Sequence, residues 1–237
     1  MIEPASLQDA EEILDLINRT NREAYRDVIP PEYFREPILT LAELWEAMGR
    51  MSFYLYRSAG RAVGVAALSR EDAETGKLRF VYVLPECQRQ GIGTALVSFL
   101  EERARTLGLR RLCLRTVGSA SWAVAFYRKL GYRLAGQIEM PWGQDLLMEK
   151  EVRMQIGVQV SLYPLAQADL LPAIQDIWDA LREAGLHPEP GPLSTLVYGE
   201  DDVVLRALGE GFRRAAARGP AVMVITLSNA CPGPART

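Results

Sequence analysis

Apolar positions in the first part of the chain switch between helical and strand spacing. Ala10, Ile13, Leu14 and Ile17 share one helical face behind Ser6, with Asp9 three positions after it, so a capped helix is expected. Residues 20 to 40 lose this periodicity, and Pro30, Pro31 and Pro37 mark a loop with short helical pieces. Leu41, Leu44, Trp45 and Met48 restore helical spacing up to Gly49. Ser52–Arg57 and Arg61–Leu68 read as a hairpin about Ser58-Ala59-Gly60, and Leu78–Leu84 as a strand ended by Pro85. A helix from Gly93 to Leu107, a strand Leu112–Val117 and a helix Ser121–Leu130 follow; Gly108 and Gly131 close the two helices. Tyr132–Leu134 and Leu146–Lys150 complete a mixed, mostly antiparallel sheet, so residues 1–152 read as α-α-β-β-β-α-β-α-β-β.

A second unit, residues 153–237, opens with the alternation of Gly157–Tyr163. Asp169 caps a helix with Pro172 in its first turn; Leu170, Ile174, Ile177 and Leu181 form its apolar face. Short strands are expected around Leu186–Pro190 and Leu193–Tyr198. A helix opened by Asp201 or Asp202 and a final strand Ala221–Leu227 follow. This β-α-β-β-α-β order is ferredoxin-like, and the fold class of the whole is α/β (α+β). The tail Pro232–Thr237 is expected to be loose. Ala221–Leu227 is apolar on both faces, so a second copy of the chain or the first unit is expected to cover it, and a homo-oligomer through this unit follows.

Composition narrows the chemistry. With 49% apolar and 24% charged residues, the 237-residue chain supports real cores. No apolar run approaches the roughly 18–20 residues of a membrane span, and Met1 to Asp15 shows no secretory pattern, so a cytoplasmic protein without a membrane partner is expected. Cys87, Cys113 and Cys231 give neither a disulfide framework nor a metal pair, and the single histidine, His187, leaves no imidazole for a Ser-His-Asp site in the first unit. No metal is expected. The net charge is −3, and no basic patch points to nucleic acid.

The stretch Val81-Tyr82-Val83-Leu84-Pro85-Glu86-Cys87-Gln88-Arg89-Gln90-Gly91-Ile92-Gly93-Thr94 runs from a strand through a Gln-x-x-Gly-x-Gly turn into a helix. Unpaired N–H groups at a helix mouth attract anions, and Gly91 and Gly93 keep side chains out of the way. Arg89 adds a positive charge. Walker and Rossmann spacings do not fit, and a plain tight turn needing glycine is the alternative. Ala123-Val124-Ala125-Phe126-Tyr127-Arg128-Lys129-Leu130-Gly131-Tyr132 lies one helix and one strand further on.

Together these two segments resemble the GNAT superfamily of N-acetyltransferases, over residues 1–150 in element order. The resemblance implies acetyl-CoA as cosubstrate and a small-molecule or peptide amine as acceptor. It places Gln88, Arg89, Gln90, Gly91, Ile92, Gly93 and Thr94 on the CoA pyrophosphate and the backbone of Val81, Tyr82 and Val83 along the pantetheine arm. Tyr127 becomes the proton donor to the leaving thiolate; a core tyrosine is the other reading. Two positions depart from the pattern. Ala120 stands where many relatives have an asparagine that touches the cofactor, and Lys77 stands where many have a glutamate base. Glu86, Asp72 and Glu74 are the possible substitutes, with Glu86 equally readable as a solvated loop residue. Tyr25, Arg22 and Arg26 lie where an acceptor wall forms.

In the second unit, Val158-Gln159-Val160-Ser161-Leu162-Tyr163-Pro164, Gly191 to Glu200 and Ser228-Asn229-Ala230-Cys231-Pro232 resemble the YkoF-like family. That resemblance implies an oligomerising domain that binds thiamine or its hydroxymethylpyrimidine part. Ser194, Thr195, Ser228 and Asn229 are the candidate ligand contacts, with Glu200, Asp201 and Asp202 as acidic neighbours for a thiazolium. Plain strand residues and a helix-capping cluster are the alternatives. At the level of function, the alternative is a non-catalytic protein or sensor that binds CoA and a thiamine-related ligand.

Overall fold

The computed structural model describes residues 1–165 and 169–230. The chain divides into two units, Met1–Val152 and Arg153–Thr237. The tail Pro232–Thr237, expected to be loose, lies outside the described residues, as does Cys231.

The first unit contains β1 (Ile2–Pro4), α1 (Ala10–Tyr25), α2 (Leu41–Arg50), β2 (Ser52–Ser58), β3 (Arg61–Arg70) and β4 (Thr75–Val83). It continues with α3 (Ile92–Thr106), β5 (Arg111–Val117), α4 (Ser121–Lys129), β6 (Arg133–Met140) and β7 (Gly143–Glu151). Seven strands form one sheet in the order β1-β2-β3-β4-β5-β7-β6, antiparallel except where β4 meets β5. Ser6 does begin the helical region, through reciprocal bonds with Asp9 (2.7 Å from the Ser6 N–H), and a 3-10 turn over Leu7–Asp9 leads into α1. The buried face of α1 uses Ala10, Ile13, Leu16 and Ile17, with Leu14 only half-buried. β3 is buried from Ala62 to Ser69, being flanked by both α1 and α3.

Two differences from the sequence reading have clear causes. β1 was not expected, because three residues are too few to show a period; its register against β2, with Ile2 opposite Tyr56, supplies the order. β6 and β7 extend past Leu134 and before Leu146 to meet at Met140 and Gly143. β6 is an edge strand exposed along most of its length, so it carries no apolar alternation to read.

The second unit contains β8 (Gln155–Pro164), α5 (Leu171–Glu183), β9 (Glu189–Pro190), β10 (Thr195–Glu200), α6 (Asp201–Arg218) and β11 (Ala221–Ser228). Its four strands run β11-β8-β10-β9, all antiparallel, which is the ferredoxin-like arrangement. Asp169 accepts the Leu171 N–H at 3.0 Å and so starts α5 as expected. α5 and α6 pack together, and Val158, Val160 and Val197 of the sheet meet Ile177, Leu181, Val204 and Leu208 in the core. The other face of edge strand β11 leaves Val222 and Val224 about half exposed. Among the described residues, no helix is long and apolar enough to cross a membrane, and no cluster of three metal-binding side chains occurs.

Candidate active site

The site begins with a split inside the sheet. β4 and β5 pair only between Thr75–Lys77 and Arg111–Cys113 and then separate. The side of β4 that faced β5 therefore has no strand partner from Leu78 to Val83. On its other side β4 carries a bulge, where two residues, Phe80 and Val81, fall between the pairs Ala67–Arg79 and Val65–Tyr82. Phe80 stands at φ 51°, a left-handed value that is strained for an aromatic residue.

The strand then enters the turn singled out from the sequence. A 3-10 turn, Pro85–Cys87, is followed by Arg89 at φ 60° and Gly91 at φ 82°, and α3 opens at Ile92. Among the described residues, the N–H groups of Arg89, Gln90, Gly91, Ile92, Gly93 and Thr94 find no acceptor in the protein; the first bond of the helix is Ala95 N to Gly91 O at 2.9 Å. Left-handed residues at alternate positions curl such N–H groups toward one point. A Cβ added at Gly91 would meet nothing, so glycine is there for its backbone angle and for open space, not for packing. The turn is braced from within: Gln88 Nε2 donates to the Val83 carbonyl at 3.0 Å and Gln90 Nε2 to the Glu86 carbonyl at 3.3 Å. These amides are used by the loop itself, whereas the Arg89 side chain is exposed.

Tyr127 reaches the split from α4 and is 9% exposed, edge-on to Phe126 and Tyr132 at 5.0 and 5.8 Å. Burial, and after it the neighbouring phenols of Tyr25 and Tyr82, push its hydroxyl well above the ordinary tyrosine range. Tyr82, raised in the same way, donates to Asn21 Oδ1 at 3.4 Å. Tyr25 is pushed up to about 12 by burial, against the lowering effect of the Thr116 hydroxyl beside it. Three protonated phenols from α1, β4 and α4 thus converge where the strands part.

This cluster has a consequence for stability. Unfolded tyrosines titrate near the ordinary 10.0, while the folded protein holds these protons to higher pH. Their contribution is complete below pH 10 and is lost as pH rises through the folded values. Urea titrations should therefore give constant stability from pH 8 to about 9.5 and a decline between pH 10 and 12. Tyr25→Phe should flatten part of that decline, and a pH-independent midpoint up to 12 would contradict the assignment.

The other expected residues divide. Glu86 is gripped by Arg19, Nη1 to Oε1 and Nη2 to Oε2 both at 3.1 Å. Its own backbone N–H and this guanidinium hold its carboxyl below the usual range, so it is a poor proton acceptor. Asp72 and Glu74 stand at the paired end of β4, roughly 25 Å along the strand from Tyr82. Asp72 there accepts the N–H groups of Glu74 and Thr75, and Lys77 lies 3.8 Å from Glu71. Ala120 is fully buried; its N–H donates to Val117 O and its carbonyl accepts from Ala123 and Val124, so it has no group left for a cofactor. Sequence reasoning missed Asn21 beside Tyr82, Thr116, Trp122 and Asp145 beside Tyr25, and Trp142, which Asp145 holds. Only the two tryptophans, on stretches not expected to be core, offered a sequence signal.

In the second unit the four polar candidates do not form one group. Thr195 pairs with Val160 on one side of β8 and Ser228 with Gly157 on the other, so the two pairs sit at different heights and flank β8. Thr195 Oγ1 already accepts from Trp178 Nε1 at 2.8 Å, and Ser194 Oγ from Gln159 Nε2 at 3.0 Å. A cavity of about 470 Å³ lies elsewhere in this unit, lined by Gln155, Ala184, Leu186, Gly199, Glu200 and Val203.

A split sheet with an anion-seeking helix mouth defines an acyl-CoA-binding protein. Residues 11–132 match the Acetyltransferase (GNAT) family, and the chain belongs to that family of N-acetyltransferases. Residues 155–234 match the YKOF-related Family. An IAA acetyltransferase of Azospirillum brasilense is 32% identical over 148 residues, which are 61% of this chain and 92% of that protein. An amino-acid acetyltransferase of Pseudomonas aeruginosa is 33% identical over 105 residues, 44% of this chain but 23% of its own length. Among solved structures, the PaiA N-acetyltransferase from Thermoplasma acidophilum in complex with coenzyme A shares the fold with a TM-score of 0.53 and 20% identity, over 64% of this chain and 98% of that one.

Proposed function

We propose that the first unit transfers the acetyl group of acetyl-CoA to a primary amine at the β4/β5 split, with Tyr127 as the proton donor to the departing sulfur. The observation that carries this reading is the run of six unpaired N–H groups from Arg89 to Thr94 beside an unpaired strand edge. The donor supplies an activated acyl group on a thioester. The N–H groups of the turn hold a diphosphate, with the α3 dipole and Arg89 adding positive charge. The free edge of β4 hydrogen-bonds an extended amide chain as an added strand would. N–H groups displaced from the ladder at the Phe80 bulge polarise the carbonyl oxygen as negative charge develops there. Tyr127, protonated throughout the neutral range, keeps its proton until a thiolate needs one. No carboxylate base replaces Lys77, so the amine enters neutral or loses its proton through water. Calorimetry with coenzyme A is the primary test, and absence of measurable affinity would remove this reading.

The second unit is assigned assembly and ligand binding. The half-exposed Val222 and Val224 on edge strand β11 support a homo-oligomer formed on that face. Light scattering at micromolar concentration should show a mass above that of one chain, and Val224→Glu should return it to the monomer. A wild-type monomer would sink this assignment. For thiamine or hydroxymethylpyrimidine, the resemblance to the YkoF-like family and the cavity beside Glu200 give support. The bonds already made by Thr195 and Ser194 shift the candidate contacts to Gln155 and Glu200.

A further inference from the structure

The β5 side of the split is lined by rings. Tyr25 of α1 and Trp122 of α4 meet at 5.5 Å between centroids, and Tyr33 of the following loop meets Trp142, at the β6–β7 turn, at 6.3 Å. Both pairs are tilted at 52°, which leaves ring faces uncommitted. They flank the same stretch of sheet: Tyr25 lies beside Thr116, while Trp142 Nε1 donates to Asp145 Oδ1 at 3.1 Å, and Asp145 is the strand partner of Val117. Trp122 and Tyr33 remain 51% and 45% exposed, so part of each ring is open to a ligand.

Three carboxylates on these segments are ion-paired. Asp145, buried, is paired with Arg115; Glu36 is paired with Arg22 at 3.0 Å and Glu23 with Arg19 at 3.2 Å. A polycationic acceptor is selected by uncompensated carboxylates, and the wall beside Tyr25 offers flat apolar faces instead. Asp27 and Glu32, both exposed on the loop, are the residues that would serve the opposite preference.

We infer that the acceptor is a primary amine carried on a flat aromatic ring, selected by the faces of Trp122 and Trp142, an inference that rests on the acetyl-transfer reading above. Ring stacking directs the amino group toward the phenol cluster, and the bond between Asp145 and Trp142 fixes one wall. Asp145 is a positioning residue here, because it acts through the indole it holds.

The test measures thiol release by the full chain with acetyl-CoA and four acceptors: tryptamine, 2-phenylethylamine, n-hexylamine and spermidine. The two aromatic amines should exceed the others about 10-fold in kcat/KM, the scale of one good ring contact. Trp122→Ala and Trp142→Ala should raise the KM for tryptamine by roughly 5- to 10-fold with kcat for that amine little changed. Trp122→Phe should restore most of the loss, and the affinity for coenzyme A by calorimetry should stay within about two-fold. Equal use of hexylamine and tryptamine, or a spermidine preference that Asp27→Asn or Glu32→Gln abolishes, overturns the inference. So does a chain that binds coenzyme A but acetylates no aromatic amine, and in that case the acetyl-CoA site still stands. Loss of coenzyme A binding in the wild type instead removes the parent reading.

Discussion

Replacing Tyr127 by phenylalanine should lower kcat by about 100-fold while the KM for acetyl-CoA changes less than about three-fold. The phenol is buried at the split, packed edge-on between Phe126 and Tyr132, so phenylalanine preserves every ring contact and removes only the hydroxyl. Its proton is held by burial and by two neighbouring neutral phenols, a setting that suits transfer to a thiolate and not loss to solvent. A proton donor acting late in the reaction contributes to turnover and little to ground-state binding. Steady-state kinetics at pH 7.5, supported by an unchanged thermal midpoint, decide the matter. Unchanged kcat would return Tyr127 to the role of a core residue.

Gly91→Val should raise the KM for acetyl-CoA by about 100-fold, the scale of losing one or two charge-assisted hydrogen bonds at roughly 1.5–3 kcal/mol each. Gly91 adopts φ 82° with open space at its Cβ direction. Valine brings two separable penalties: left-handed strain of about 1–2 kcal/mol and a branched side chain where the diphosphate is held. Gly91→Asn separates them, because asparagine tolerates the left-handed region. If Gly91→Asn retains the wild-type thermal midpoint but still binds coenzyme A weakly, the space at the helix mouth is the cause. Wild-type affinity in both variants would show that the turn does not hold the diphosphate.

Two expectations about chemistry moved once side chains had neighbours. Glu86 was a plausible water-mediated base while it was only a carboxylate next to the turn; its two bonds to Arg19 make it a brace between α1 and that turn. Ala120 is a candidate cofactor contact by its position in the motif alone, and its backbone proves fully engaged. For Glu86 the deciding partner comes from the fold, since Arg19 is distant in sequence; for Ala120 it is local, the turn after Val117 and the first turn of α4.

The chain's own order of residues determined the architecture of both units and the phosphate turn, because these depend on local periods and on glycine placed between a strand and a helix. Only the tertiary structure decided where β4 leaves β5 and that Phe80 sits in a bulge, since partner loss and register are properties of two strands together. The same holds for the acceptor wall. Tyr25, Tyr82, Trp122 with Tyr127, and Trp142 with Asp145 come from four separate segments, and no spacing along the chain records that folding brings the three phenols together beside Trp122 and Asp145.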